Sequence, residues 1–254
     1  MMTLKLMLAI LSSVLMIAAP VVFILYMRKK RGARIHFFHI LTGIVVGFLC
    51  KDVLVNVLGN LLMSLFPSLG SNSIVYTIFL TFLSAAVFLL GLSVVRHSVW
   101  KEQVDLSKIC GLVIGFVIAD ILGSYLIINI SNITYLLQSA DGTLYEKLTE
   151  SLSAADAQSV IASYEQLTQG YYLYPGIMVI VSLTASYLLT VLMMREYERP
   201  RHRLSIVLVM TALVYLVTSL SSPLIFEHAD PILLLFAGIL FLSAQANSTA
   251  ILGE

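Results

Sequence analysis

The chain has 254 residues, of which 59% are hydrophobic and 11% charged, with a formal net charge of +1. Soluble domains average roughly 45–50% apolar and about 25% charged, so the composition excludes a water-soluble globular domain. The net charge says nothing about partners, because the charges are sorted by loop; no nucleic acid is expected. The apolar residues come in blocks of about 20, enough to cross ~30 Å of hydrocarbon as a helix, and the short alternating segments of a membrane β-barrel are absent.

Seven apolar segments follow one another at roughly 5–27, 36–66, 74–95, 109–137, 174–194, 204–225 and 231–250. They predict an all-α fold: a polytopic transmembrane helical bundle, one integral membrane domain over 1–254, multi-pass in the cell membrane with the lipid bilayer around it. The first segment exceeds the apolar stretch of a signal peptide, and its basic cluster follows rather than precedes it. It is expected to remain as a helix, kinked at Pro20.

Lysine and arginine set the orientation. "RKKRGAR" (28–34) carries five, "RHSVWKEQVDLSK" (96–108) three and "REYERPRHR" (195–203) four, and only Lys5, Lys51 and Lys147 fall elsewhere. These three stretches are every second connection, so they share one face, which the positive-inside rule makes cytoplasmic. The expectation is an outward N-terminus, about seven crossings and a cytoplasmic C-terminus. Cys50 then lies toward one face and Cys110 toward the other, which predicts two buried free thiols rather than a disulfide.

The second segment holds the stretch "GFLCKDVLVNVLGN" (47–60), with Lys51 and Asp52 side by side in apolar surroundings. At 1.5 Å per residue the segment is about 46 Å long, too much for one straight crossing. Either the helix stops near Leu49 and the pair sits at the outer interface, or the helix continues and the pair lies in the bundle. Spacing favours continuation: Asp52, Asn56 and Asn60 recur every fourth residue and form a polar stripe. Gly43 and Gly47 make a GxxxG pattern on a nearby face, open to close approach of another helix.

The fourth segment supplies a neighbour. "GLVIGFVIADILGS" sets Gly111, Gly115 and Ala119 four apart, followed by Gly123, with Asp120 beside the ridge. Counted from the cytoplasmic ends, Asp120 lies about 17 Å deep and Lys51 about 22 Å deep. Lys51 is therefore expected to neutralise Asp120, Asp52 or both, because an unpaired charge at mid-membrane costs at least ~2.5–3.5 kcal/mol. That cluster reads either as a structural lock between two helices or as a proton-, ion- or metal-linked site.

The connection 138–173 is the one sizeable outer loop. Leu144, Leu148 and Leu152 share a helical face; Ser153 and Asp156 open a capping box; Val160, Ile161, Tyr164 and Leu167 make the apolar face of a second helix closed by Gly170. This predicts an extracytoplasmic helical hairpin with five acids (Asp141, Glu146, Glu150, Asp156, Glu165) against Lys147. It reads as a solvated lid or as a surface where another membrane protein or complex docks.

Other signals are weak. His36 and His39 in "HFFH" sit at the cytoplasmic boundary and read as interfacial anchors; His228 in "EHAD" reads as a turn before Pro231. Sequons at Asn129 and Asn132 fall inside the fourth helix, and one at Asn247 falls on the cytoplasmic side. No nucleotide loop, nucleophile elbow, HExxH or CxxC occurs, and no cofactor or metal is expected.

An opening helix with a central proline, an "RKK" exit, an acid in the second helix, a glycine-spaced fourth helix ending in an acid and an outer hairpin together resemble the YhfC family. That family consists of intramembrane metalloproteases related to the CAAX-processing (CPBP) and PrsW groups. The resemblance implies roles for Asp52 and Asp120 at the family's acidic positions and for Gly111 and Gly115 in its glycine-rich segment. The paired-glutamate EExxR-type motif is replaced: Ala85 and Ala86 stand in the acidic places, and the last three apolar segments contain no histidine. The resemblance thus implies the fold without the protease: a pseudoprotease acting as an accessory, binding subunit. A divergent metalloprotease and an ion-coupled transporter component remain alternatives.

Overall fold

The computed structural model describes residues 2–66, 73–100, 104–197, 204–221 and 229–248, with no side chain described at 51, 52, 73, 74, 204 or 205. Regular structure among these residues is entirely helical. Helix α1 (Met2–Arg31) continues through Pro20 as one element. Helix α2 (Phe37–Gly47), a π-helical turn π1 (Phe48–Leu54) and α3 (Val55–Leu65) form a single 29-residue rod. Of the two readings of the second segment, the helix therefore continues, and Lys51 and Asp52 fall in its π-helical turn.

Helix α4 (Ser73–Val94) ends in a second such turn, π2 (Val95–Val99). Helix α5 (Leu106–Asp120), π3 (Ile121–Tyr125) and α6 (Leu126–Ala140) make a 35-residue rod. Asp105 caps its start, its carboxylate accepting the Lys108 N–H at 2.8 Å, which satisfies a backbone donor the helix cannot. Short helices α7 (Leu144–Thr149) and α8 (Ala154–Gln166) lead to α9 (Gln169–Tyr197), α10 (Leu204–Leu220) and α11 (Ala229–Ser248). Six of the rods are long and apolar enough to cross a membrane; α10, at 17 residues, is shorter.

The core is organised around α9, which packs against α1, α5, α10 and α11. Among the described residues it exposes no large hydrophobic side chain, whereas α1 exposes Met7, Ile10, Leu11, Val14, Ile17, Val21, Val22 and Leu25. A helix that is apolar all round belongs inside, and an apolar outer face belongs in lipid. Helix α1 reaches α9 beside Pro175, where the Gly176 N–H donates to Ser12 Oγ at 2.8 Å. A Cβ at Gly176 would lie 2.8 Å from Ser12 Cα, so only glycine lets the helices close here.

The basic connections gather at one end. The Arg34 N–H donates to Ser107 Oγ at 3.0 Å, Arg31 donates to Gln245 Oε1 at 3.1 and 2.9 Å, and Arg195 donates to Asn247. His39 meets Trp100, and His97 meets Tyr197. At the other end the hairpin folds down onto the bundle. Ser153 accepts the Asp156 N–H at 3.2 Å, completing the cap. Leu144, Leu148, Ile161, Tyr164 and Leu167 pack with Ala9, Tyr135, Leu136 and Tyr172, and Tyr135 stacks on Tyr164 at 3.9 Å.

Two local expectations are corrected. Leu152 lies beyond α7 and is exposed, so of the leucine face only Leu144 and Leu148 pack on the bundle. Gly170 does not close the second hairpin helix: α8 ends at Gln166 with Leu167 as its cap, and Gly170 lies in the first turn of α9 against Asp230. Cys50 and Cys110 are both free and buried. Glu227 and His228 lie outside the described residues.

Candidate functional site

Midway along α9 the helices part around a cavity of about 340 Å³. Among the described residues, one carboxylate, Asp120, faces it from the end of α5. The rest of its polar lining is hydroxyl and amide: Asn56 from α3, Ser84 from α4, Ser124 from π3, Ser182 and Ser186 from α9, and Thr218 from α10. Tyr125 and Tyr215 close it, and Met178, Val181, Leu189 and Val214 give it an apolar floor. The Ser182 hydroxyl donates to Asp120 Oδ2, and Tyr125 lies within electrostatic reach of Asp120, Tyr174 and Tyr215.

Two π-helical turns present these groups. An α-helix places Asp120 and Ser124 on one face, and the wider π3 turn between them also carries Tyr125 to the chamber wall. The π1 turn does the same before Val55 and Asn56. Inserted turns of this kind recur at functional sites because they re-aim side chains at the cost of weaker backbone bonding. In a low-dielectric interior a carboxylate interacts strongly with whatever stands opposite.

The polar residues marked by spacing separate here. Asp120 and Asn56 share the chamber; Asn60, one turn beyond Asn56, is exposed and does not line it. The side chains of Lys51 and Asp52 lie outside the described residues, so the expected Lys51 pairing has no observed geometry.

The small residues come together as a tight seam between α2 and α5. A Cβ on Gly43 would collide with the Leu112 carbonyl oxygen, and one on Gly47 would lie 3.0 Å from Ala119 Cβ. A Cβ on Gly111 would lie 2.5 Å from His39 Cβ. The seam holds Asp120 in register with the rod that carries Asn56.

Pattern reasoning missed Ser84, Ser124, Ser182, Ser186, Tyr215 and Thr218. Isolated hydroxyls are unremarkable in apolar helices because they can bond their own backbone, as Thr184 does to Ile180 O at 3.1 Å and Thr211 to Val207 O at 2.7 Å. The available signal was the Ser182–Ala185–Ser186–Leu189 spacing on α9, one helical face of mostly small residues.

The two sequons inside the long rod are also explained. Asn129 and Asn132 are buried where α6 meets α1, and the Asn129 amide donates to Ser13 Oγ at 2.6 Å. They join helices.

The chain matches no family model, no curated protein and no solved structure.

Among the described residues, no three of His, Cys, Asp and Glu come together. The chamber's donors are one carboxylate with hydroxyl and amide groups. Catalytic zinc takes nitrogen, sulfur or several carboxylates, so these residues do not fit it. All-oxygen lining instead suits hard cations and hydrogen-bonding solutes.

Proposed function

We propose that this is a non-proteolytic, multi-pass membrane protein of YhfC-like layout that binds a small cationic solute in the chamber beside Asp120. The observation that carries the reading is a carboxylate facing a cavity of about 340 Å³ walled by hydroxyls from several helices. An ionisable residue within a membrane span is costly and marks a functional site by default. The volume suits an alkali cation with part of its hydration, or a small amine; it is far too small for a peptide helix. Helix α10 serves as a seventh crossing in this reading, which puts the basic end in the cytoplasm and the hairpin outside.

At the two positions where the resemblance places glutamates stand Ala85 and Ala86, and a methyl group neither moves a proton nor holds a metal, which supports the non-catalytic part.

Thermal unfolding of purified protein in nanodiscs, titrated with sodium, potassium and small primary amines, tests the proposal. One of these should stabilise the wild type saturably, and Asp120→Asn should abolish the effect while remaining folded. A folded wild type indifferent to all of them would overturn the reading.

An accessory role is the second reading, favoured by the hairpin surface. Asp141, Glu146, Glu150, Asp156 and Glu165 are all exposed, alongside Tyr145 and Leu152. The hairpin's apolar face is already spent on the bundle, so a docking partner would be basic. A membrane complex that co-purifies with the wild type but not with a five-fold Asp/Glu→Asn/Gln hairpin variant is the result this reading requires.

A further inference from the structure

A second cavity, of about 590 Å³, lies at the hairpin end of the bundle, between the start of α1, the α8–α9 junction and the first turn of α11. It is independent of the Asp120 chamber. Its polar lining includes Lys5, Glu165, Thr168, Gln169 and Asp230. Apart from the exposed Glu165, two opposite charges, Lys5 and Asp230, thus face one cavity.

Both charges are built in. Lys5 is only 7% exposed; its ammonium donates to the Glu165 carbonyl at a long 3.4 Å and stands 5.3 Å from the centre of the Tyr172 ring. An ammonium has three donors, and burial of a cation is tolerated only when they are met. Asp230 is half-buried, with Oδ2 pressed against Gly170 and Oδ1 buried without a hydrogen-bond partner. Thr168 Oγ1 is likewise buried and without a partner. Lys5 and Asp230 form no ion pair with each other, the one pair between described residues being Lys147–Glu150.

Opposite charges left unpaired across a cavity, next to an unmet hydroxyl, match a ligand that carries both charges itself. We propose that this cavity binds a small zwitterion, its carboxylate or phosphate on the Lys5 ammonium and its own ammonium on the Asp230 carboxylate, beside Thr168. The Tyr172 ring holds Lys5 in place through its π face. A free amino acid and a phosphoethanolamine headgroup share this chemistry.

The test uses the full chain in phosphatidylcholine nanodiscs, whose quaternary ammonium donates no hydrogen bond. Glycine, serine and O-phosphoethanolamine are titrated while the thermal midpoint and the hydrogen exchange of residues 165–170 are followed. Saturable stabilisation with slowed exchange identifies a free zwitterion; the same changes appearing only on moving to phosphatidylethanolamine nanodiscs identify a lipid headgroup. Lys5→Met and Asp230→Asn should each weaken binding by about thirtyfold or more, because either leaves a ligand charge unmet. Thr168→Val, which removes no charge, should weaken it by several fold and guards against loss of the charge variants to misfolding. Absence of any shift in the folded wild type with every probe overturns the proposal, as does unaltered affinity in Thr168→Val together with either charge variant. Asp120→Asn should leave this response unchanged, so failure here and failure of the chamber reading are separable.

Discussion

Gly43 and Gly115 meet with no side chain between them: a Cβ built on Gly115 would lie 2.6 Å from Gly43 Cα and would strike the Ile40 carbonyl oxygen. Backbone cannot yield as a side chain tip can. In a bilayer, where lipid is as apolar as any side chain, close backbone approach of this kind is a principal source of helix association.

Gly115→Ala should therefore destabilise the protein by about 1–3 kcal/mol, the range for forced overpacking. Gly238→Ala is the control: a Cβ there meets nothing within 4 Å, and helix propensity favours alanine by about 1 kcal/mol. Thermal unfolding in detergent compares the two. Equal midpoints would mean the seam is not where the helices are held.

Within the chamber, Ser182→Ala removes the hydroxyl that donates to Asp120. Hydrogen bonds to charged groups contribute roughly 1.5–3 kcal/mol. If that donor positions the carboxylate for a cation, Ser182→Ala should weaken cation stabilisation about tenfold without abolishing it. Ser186→Ala, whose hydroxyl lines the same wall, should have a smaller effect. Isothermal titration on the two variants orders them.

The hairpin is held by aromatic contact. Tyr135 and Tyr164 stack at 3.9 Å, an interaction worth about 0.5–1.5 kcal/mol beyond burial. Tyr164→Ala should let 141–166 lift from the bundle, seen as faster cleavage near Gly142 in limited proteolysis. The bundle's own thermal midpoint should move little. A cleavage rate matching the wild type would show that Leu144 and its neighbours suffice.

Asn129 and Asn132 are each 1% exposed. Expressed in a glycosylating host, the protein should show no glycan mass at either. Asn129→Ala should cost about 1–2 kcal/mol, because the Ser13 hydroxyl loses its buried partner. Mass spectrometry and thermal unfolding read the two outcomes.

Orientation is open to chemical labelling. Ser98 lies at the basic end and Ser151 in the hairpin turn, both exposed. With Cys50 and Cys110 replaced, Ser98→Cys should react with a membrane-impermeant thiol reagent only after cells are opened, and Ser151→Cys before. The reverse pattern would invert the positive-inside assignment.

Much of the architecture is written in local pattern. Blocks of about 20 apolar residues announce membrane helices, because length and hydrophobicity alone decide whether a segment is at home in oil. The glycine spacing in "GIVVG" and "GLVIG", the capping box at Ser153 and the leucine face from Leu144 likewise depend on neighbours a few residues away. That is the range over which sequence is easily read.

The chamber was legible only at its charged point. Asp120 stands out in any apolar helix, whereas Ser84, Ser182 and Thr218 become a site only because α4, α9 and α10 converge there. Asn56 and Asn60 share one face of α3, but only Asn56 lines the chamber, because Asn60 stands a turn further along the rod. Lys5 and Asp230 lie 225 positions apart and share a cavity only once α1 and α11 have packed around α9. Periodicity by itself determined that the chain is a bundle of membrane helices, since burial in lipid is a property of each segment. Which polar groups face one another was decided by tertiary packing alone, because it depends on helix rotation and backbone distance between segments that no local pattern encodes.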